Sequence, residues 1–244
     1  MFKYYIYIIL VIAIGLFQAK STTPKHLTDT NKEEPVLDWP SLLYEEIQLH
    51  EKISYEVFEM AMKGYNKLLT PNKEVLTVID FSKPSTEKRL YVIDLKQKKI
   101  LYASHVSHGK NSGNYYAVNF SNQIGSYKSS LGFYITENTY QGQNGYSLVL
   151  NGLEKGINDN AKQRSIVIHG ADYCNPEIVK NGSRLGRSQG CPALPHQLCK
   201  PIIDTIKEGS LLFIYANDNQ YLAQSPVLTE SIDFLNPLFR NEKI

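Results

Sequence analysis

The residues of this sequence best suited to covalent chemistry are a cysteine that follows a glycine and a histidine that closes a short apolar run. Ser165-Ile166-Val167-Ile168 has the composition of a buried strand, and His169-Gly170 stands at its end, where a side chain is held rigidly at the lip of a cleft. Further along, in Arg187-Ser188-Gln189-Gly190-Cys191-Pro192-Ala193-Leu194-Pro195, Gly190 lets the backbone bend tightly just before the thiol. A free thiol has a pKa of about 8.5, and a nearby imidazole can take its proton to make a nucleophile. A tight turn at that point aims amide N–H groups at one place. Those of Gly190 and Cys191 are candidate donors of an oxyanion hole for acyl transfer.

The other cysteines and histidines are less informative. The three cysteines, Cys174, Cys191 and Cys199, are an odd number, so in an exported protein at least one is free or pairs with another molecule. Cys174 and Cys199 have no motif around them and read as buried thiols or a mutual disulfide. No Cys-x-x-Cys pair is present, which argues against a zinc ribbon and a thioredoxin-like site. His105 and His108 lie three apart on an expected strand and so point to opposite faces, an arrangement that does not favour a shared metal. No metal and no cofactor is expected.

Several elements must position these groups. Ser54 reads as a helix cap. Behind it Val57, Phe58, Ala61, Met62, Tyr65, Leu68 and Leu69 fall at helical spacing, with Glu56, Glu59, Lys63 and Lys67 on the opposite face. A shorter helix is expected around Leu42 to His50, and Thr70-Pro71-Asn72 ends the unit. Short runs rich in Val, Ile, Leu and Tyr then predict strands at Val75 to Phe81, Leu90 to Leu95, Ile100 to Val106, Gly132 to Thr136, Tyr146 to Leu150, Ser165 to His169 and Leu211 to Tyr215. A last helix is expected between Pro195 and Lys207, and the chain after Asn217 has weak periodicity and is expected only to drape over the surface.

The ends and the bulk composition limit the partners. Lys3 followed by the uncharged apolar stretch Tyr4 to Phe17 reads as an export signal, too short for the roughly 20 residues of a membrane-spanning helix. Phe17 fits a cleavage motif poorly, so an uncleaved anchor stays open as the alternative. The expected organisation is a signal or anchor over 1–20, a linker over 21–40, a helical lead-in over 41–72, a catalytic domain over 73–217 and a tail over 218–244. With 244 residues, 42% hydrophobic, and a formal net charge of +2, the chain gives no electrostatic reason to propose nucleic acid. Membrane contact is expected only through the amino-terminal segment.

The pairing of His169-Gly170 with Ser188-x-Gly190-Cys191 resembles the His-Gly and Ser-x-Gly-Cys signature of the YkuD-type L,D-transpeptidases. The wider match, with Ser129-Ser130-Leu131-Gly132-Phe133-Tyr134 and Gly152-Leu153-Glu154-x-Gly156-x-Asn158, is similar to the murein L,D-transpeptidase catalytic domain subfamily. The resemblance implies a mainly β fold, with mixed sheets forming a cleft and a small helical unit in front. It implies an exported enzyme of the bacterial cell envelope that acts on peptidoglycan stem peptides, with Cys191 as nucleophile and His169 as base. Ser188 would shape the turn, and the carbonyl of Gly170 or of Ser188 would orient the histidine. His108 would help shape the cleft, the alternative being an ordinary hydrogen-bonded histidine. Many members carry arginine two residues after the cysteine, where this chain has Ala193, so Arg187 or Arg184 would grip the substrate instead. The acceptor, an amine or water, stays open, and with it the choice between a transpeptidase and an L,D-carboxypeptidase. A wall-binding module without turnover is the remaining alternative.

Overall fold

The computed structural model describes residues 39–229, and the expected signal or anchor and most of the linker lie outside the described residues. Helix α1 spans Trp39–Ile47 and α2 spans Tyr55–Lys67. The Ser54 side chain accepts from the Val57 amide, which satisfies one of the donors a helix start leaves unpaired. Val57, Phe58, Ala61, Met62 and Tyr65 are buried as the helical spacing predicts. Leu69 departs from that stripe and is 88% exposed, because the helix ends at Lys67 and Leu68 is already extended. α1 begins earlier than expected and stops before Gln48, whose φ of 58° cannot continue a helix.

All eight strands of the described residues join one sheet in the order β3-β2-β1-β8-β4-β5-β6-β7. They are β1 (Asn72–Asp80), β2 (Leu90–Asp94), β3 (Lys99–Ser104), β4 (Gly132–Gly142), β5 (Gly145–Gly152), β6 (Val167–Gly170), β7 (Ala193–Leu194) and β8 (Ser210–Tyr215). Pairing is mixed. β1 runs parallel to β8 and β6 parallel to β7, and the other neighbours are antiparallel. The fold is therefore mainly β with helices, carried by a single continuous sheet. Just after β3, Ser107 bridges to Ala193 of β7, and this contact ties the two outer strands of the sheet together.

The core lies between α2 and the central strands. Phe133 of β4 stacks on Phe213 of β8 with ring centroids 4.3 Å apart, a contact worth about 0.5–1.5 kcal/mol beyond its buried area. α2 comes so close to this pair that a side chain at Gly64 would lie 2.1 Å from the Phe133 ring. Helix α4 (His196–Ile206) buries Cys199, Ile202, Ile203 and Ile206. The short α3 (Pro176–Lys180) follows β6, with Asn175 as its cap.

The chain after Asn217 does more than drape. Asp218 caps α5 (Asn219–Gln224), and α6 (Pro226–Thr229) follows. Tyr221, Ser225 and Val227 are buried, and the Tyr221 and Ser225 hydroxyls both bond the buried Glu154 carboxyl. Glu154 also accepts from the Phe133 amide at 2.8 Å, and so it joins the tail to β4. Its weak periodicity hides this role, because a few polar contacts anchor the segment rather than an apolar stripe.

Candidate active site

The geometry of the site begins with the register of β6 and β7. His169 pairs with Ala193, and Cys191 stands two residues before that partner, in the turn that leads into β7. His169 and Cys191 both line a cavity of about 500 Å³. Ser165, expected as the first strand residue, instead adopts a φ of 55°, and β6 starts at Val167. This turn points the Ser165 carbonyl at the thiol, which donates to it at 3.6 Å.

His169 is 4% exposed, and its Nδ1 donates to the Gly170 carbonyl at 2.9 Å. That bond holds the ring in the tautomer whose Nε2 carries a lone pair. Burial lowers the pKa of the ring below the ordinary histidine value; the Gly170 contact opposes this and the nearby His196 adds to it. Burial also pushes the Cys191 thiol up, while the Val167 amide and the Arg164 charge pull it down. Burial thus favours the uncharged form of both groups, the thiol and the neutral imidazole. Gly170 is needed for packing as well, because a side chain there would meet His196 Nδ1 at 2.6 Å.

Ser188 braces the turn. It is buried, its hydroxyl donates to the Cys191 carbonyl at 2.6 Å, and the same oxygen accepts from the Gly190 amide at 3.0 Å. The Gly190 amide is therefore already engaged and does not face the cavity as an oxyanion donor. The Cys191 amide has no hydrogen-bond partner among the described residues. Gly190 has a φ of +125°, and an added side chain would come within 2.9 Å of the Lys128 carbonyl. Its own carbonyl accepts from Ser129 Oγ at 3.1 Å, and that oxygen accepts from the Gly109 amide at 3.0 Å.

His108 does not touch the cavity. It is fully buried, with Nδ1 accepting from Arg89 at 2.8 Å, Nε2 donating to the Gly113 carbonyl at 3.3 Å and its ring edge against Phe81. Burial and the adjacent Arg89 charge hold its pKa at about 3, so it stays neutral and acts as a strut. The strut supports the segment that holds the Ser188–Cys191 turn: the His108 carbonyl accepts from the Ser188 amide at 2.9 Å, and the Lys110 amide donates to the Ser188 carbonyl at 2.8 Å. Arg89 itself is fully buried, donates to the Lys83 and Val106 carbonyls and covers the Phe81 ring.

The two candidate arginines separate. Arg187 lines the cavity and donates to the Gly113 carbonyl at 2.8 Å. Arg184 lies outside the lining and bonds the neighbouring Leu185 carbonyl at 2.7 Å. Ala193 is fully buried, with its carbonyl accepting from the Cys174 thiol at 3.1 Å, so this position has no outlet to the cavity. Cys174 and Cys199 are free buried thiols.

Sequence reasoning missed Arg164. Its guanidinium lines the cavity and donates to the Ser121 carbonyl at 2.7 Å, the Lys128 carbonyl at 2.6 Å, and the Ser126 and Ser130 hydroxyls. It thereby clamps the loop that carries Ile124, Gly125 and Tyr127 over the site. Gln143 and Asn144, from the tip of the β4–β5 hairpin, and Gln163, Gln189 and Tyr173 complete the walls. The lining holds two arginines and no carboxylate, a field that suits an anionic, amide-rich ligand. Among the described residues no three His, Cys, Asp or Glu side chains are grouped as metal ligands would be.

Residues 49–215 match the family defined as the L,D-transpeptidase catalytic domain. No curated protein matches the chain. Among solved structures, the chain is similar to an L,D-transpeptidase from Mycobacterium smegmatis, at 14% identity over 59% of each chain with a TM-score of 0.37. It is also similar to the helical cell shape determining protein Pgp2 from Campylobacter jejuni, at 14% identity over 66% of this chain and 56% of that one with a TM-score of 0.39. An L,D-transpeptidase from Stackebrandtia nassauensis aligns at 14% identity over 73% of this chain and 76% of that one, with a TM-score of 0.36. The chain spans 59% of the length of the mycobacterial protein.

Proposed function

Because the chain belongs to the L,D-transpeptidase catalytic domain family, we propose that it is an exported enzyme of the bacterial envelope that performs cysteine-based acyl transfer on peptidoglycan stem peptides. The observation that carries this reading is the placement of Cys191 and a tautomer-fixed His169 on one wall of one cavity. In the proposed first step the Cys191 thiol passes its proton to His169 Nε2 as sulfur attacks the peptide carbonyl carbon. In this reading the histidine acts as a general base during attack, in keeping with burial favouring the uncharged forms of both groups. The Cys191 amide is the available backbone donor for the oxyanion, and Arg164 adds positive charge beside it.

When the carbon–nitrogen bond breaks, the imidazolium returns its proton to the departing amine, leaving a thioester on Cys191. An acceptor amine then attacks the thioester carbonyl and gives its proton to His169; the carbon–sulfur bond breaks, and the imidazolium returns that proton to the departing sulfur, which restores the thiol. Water in place of the amine would make the same site an L,D-carboxypeptidase. Arg187 is the residue proposed to hold a substrate carboxylate, since it lines the cavity and a guanidinium offers paired donors to a carboxylate.

Intact-mass analysis of the full chain after exposure to a carbapenem tests the nucleophile. A single covalent adduct is expected on the wild type, none on Cys191→Ala, and a much slower one on His169→Ala. A wild-type protein that is folded yet stays unmodified would contradict the assignment.

A further inference from the structure

A second cavity, of about 270 Å³, lies on the other side of the loop that covers the active site. Ser121, Asn122 and Gln123 form one wall, and the next residues of the same loop, Ile124 and Gly125, line the Cys191 cavity. The opposite wall is α5, which follows the last residue of the family match and is fixed to the sheet through Glu154. This site is therefore built partly by a segment that the family as defined does not include.

Its chemistry differs from that of the catalytic cavity. Gln123, Gln220 and Gln224 are exposed, line the cavity and carry no side-chain hydrogen bond to any described residue. Asp218 uses one carboxylate oxygen to cap Tyr221 and has the other to spare. Beneath them Phe120, Leu131 and Ile157 give an apolar floor. No lysine or arginine is present, so the site is not built for the anionic ligand that the neighbouring cavity suits. Unengaged amides above a carbon-rich floor, in a volume at the small end for ligand sites, match a ring with hydroxyl groups on its edge and C–H groups on its face.

We infer that this cavity is a saccharide subsite that takes one uncharged amino-sugar unit of a glycan chain. It rests on the reading of the protein as a peptidoglycan enzyme only in the choice of sugar. The shared loop would then sense both ligands, the sugar on one side and the reacting peptide on the other.

The test uses the full chain, the tetramer of N-acetylglucosamine as probe, and the double variant Gln220→Ala/Gln224→Ala, whose side chains are exposed and lie outside the catalytic cavity. Calorimetric titration of the wild type is expected to show saturable binding, weakened about tenfold or more in the variant by the loss of the amide contacts. Carbapenem labelling of Cys191 is expected to be equal in both proteins, which confirms that the variant is folded. Absence of binding by the wild type, or equal binding by the two, would overturn the inference. Failure of the catalytic reading shows separately, as an unlabelled Cys191 in a protein that still binds the sugar.

Discussion

Replacing Ser188 by alanine removes one oxygen and two buried hydrogen bonds, one to the Gly190 amide and one to the Cys191 carbonyl. Each orphaned buried group costs about 1–3 kcal/mol. Part of the loss at Cys191 is recoverable, because that residue borders the cavity and water can reach it, so a net loss of roughly 2–4 kcal/mol is expected. For a chain of this size each kcal/mol moves the melting temperature by about 2–4 °C, which places the expected drop at about 5–15 °C. Turnover should fall further than stability alone explains. The lost oxygen is what fixes the turn carrying Cys191, the proposed nucleophile, and a displacement of about 1 Å can cost roughly a hundredfold in rate. Differential scanning fluorimetry and steady-state kinetics at a temperature where the variant is folded would measure both. Arg184→Ala serves as the control and should change neither. A Ser188→Ala protein with the wild-type melting temperature and undiminished kcat would refute the brace.

Arg164→Met is expected to release the loop over residues 121–130, lowering kcat/KM by about tenfold or more and speeding proteolysis within the loop. Arg164→Lys should recover little, because a point charge cannot reproduce the fork; wild-type kinetics in the methionine variant would exclude the clamp. Glu154 gives a pH test. Burial holds its folded pKa above the unfolded value, so its stabilising contribution is complete below the ordinary carboxyl range and lost as pH rises through the folded pKa. Glu154→Gln removes that dependence, so the melting temperature of the variant relative to wild type should rise as pH increases from the acidic range to neutrality. A difference that stays constant with pH would contradict the buried-carboxyl account.

The legible parts of the sequence were those set by local pattern. Ser54 and the apolar face of α2 follow from capping and helical spacing, and the strands around Val78, Val92 and Phe213 from apolar runs. β7 was invisible because two residues carry no periodicity; its existence depends on pairing with β6 and on the bridge to Ser107. The family resemblance implies a cleft role for His108, with an ordinary hydrogen-bonded histidine as the alternative; the structure shows the second, because the buried Arg89 nineteen residues earlier holds its ring in the interior, and nothing local announces that partner. Arg164 stands just before a strand and reads as an ordinary surface charge, since its loop partners lie 34 to 43 residues away in the chain. Gly190 was identified as a turn residue, but its amide is taken by Ser188 Oγ, a contact that is only visible once the turn is built.

Mass spectrometry of the products formed from a disaccharide tetrapeptide and a second stem peptide reads out the proposed acyl transfer from Cys191 with His169 as base. Cross-linked or exchanged product is expected with the wild type and none with Cys191→Ala or His169→Ala. Product formed equally well by the Cys191→Ala protein would rule that reaction out.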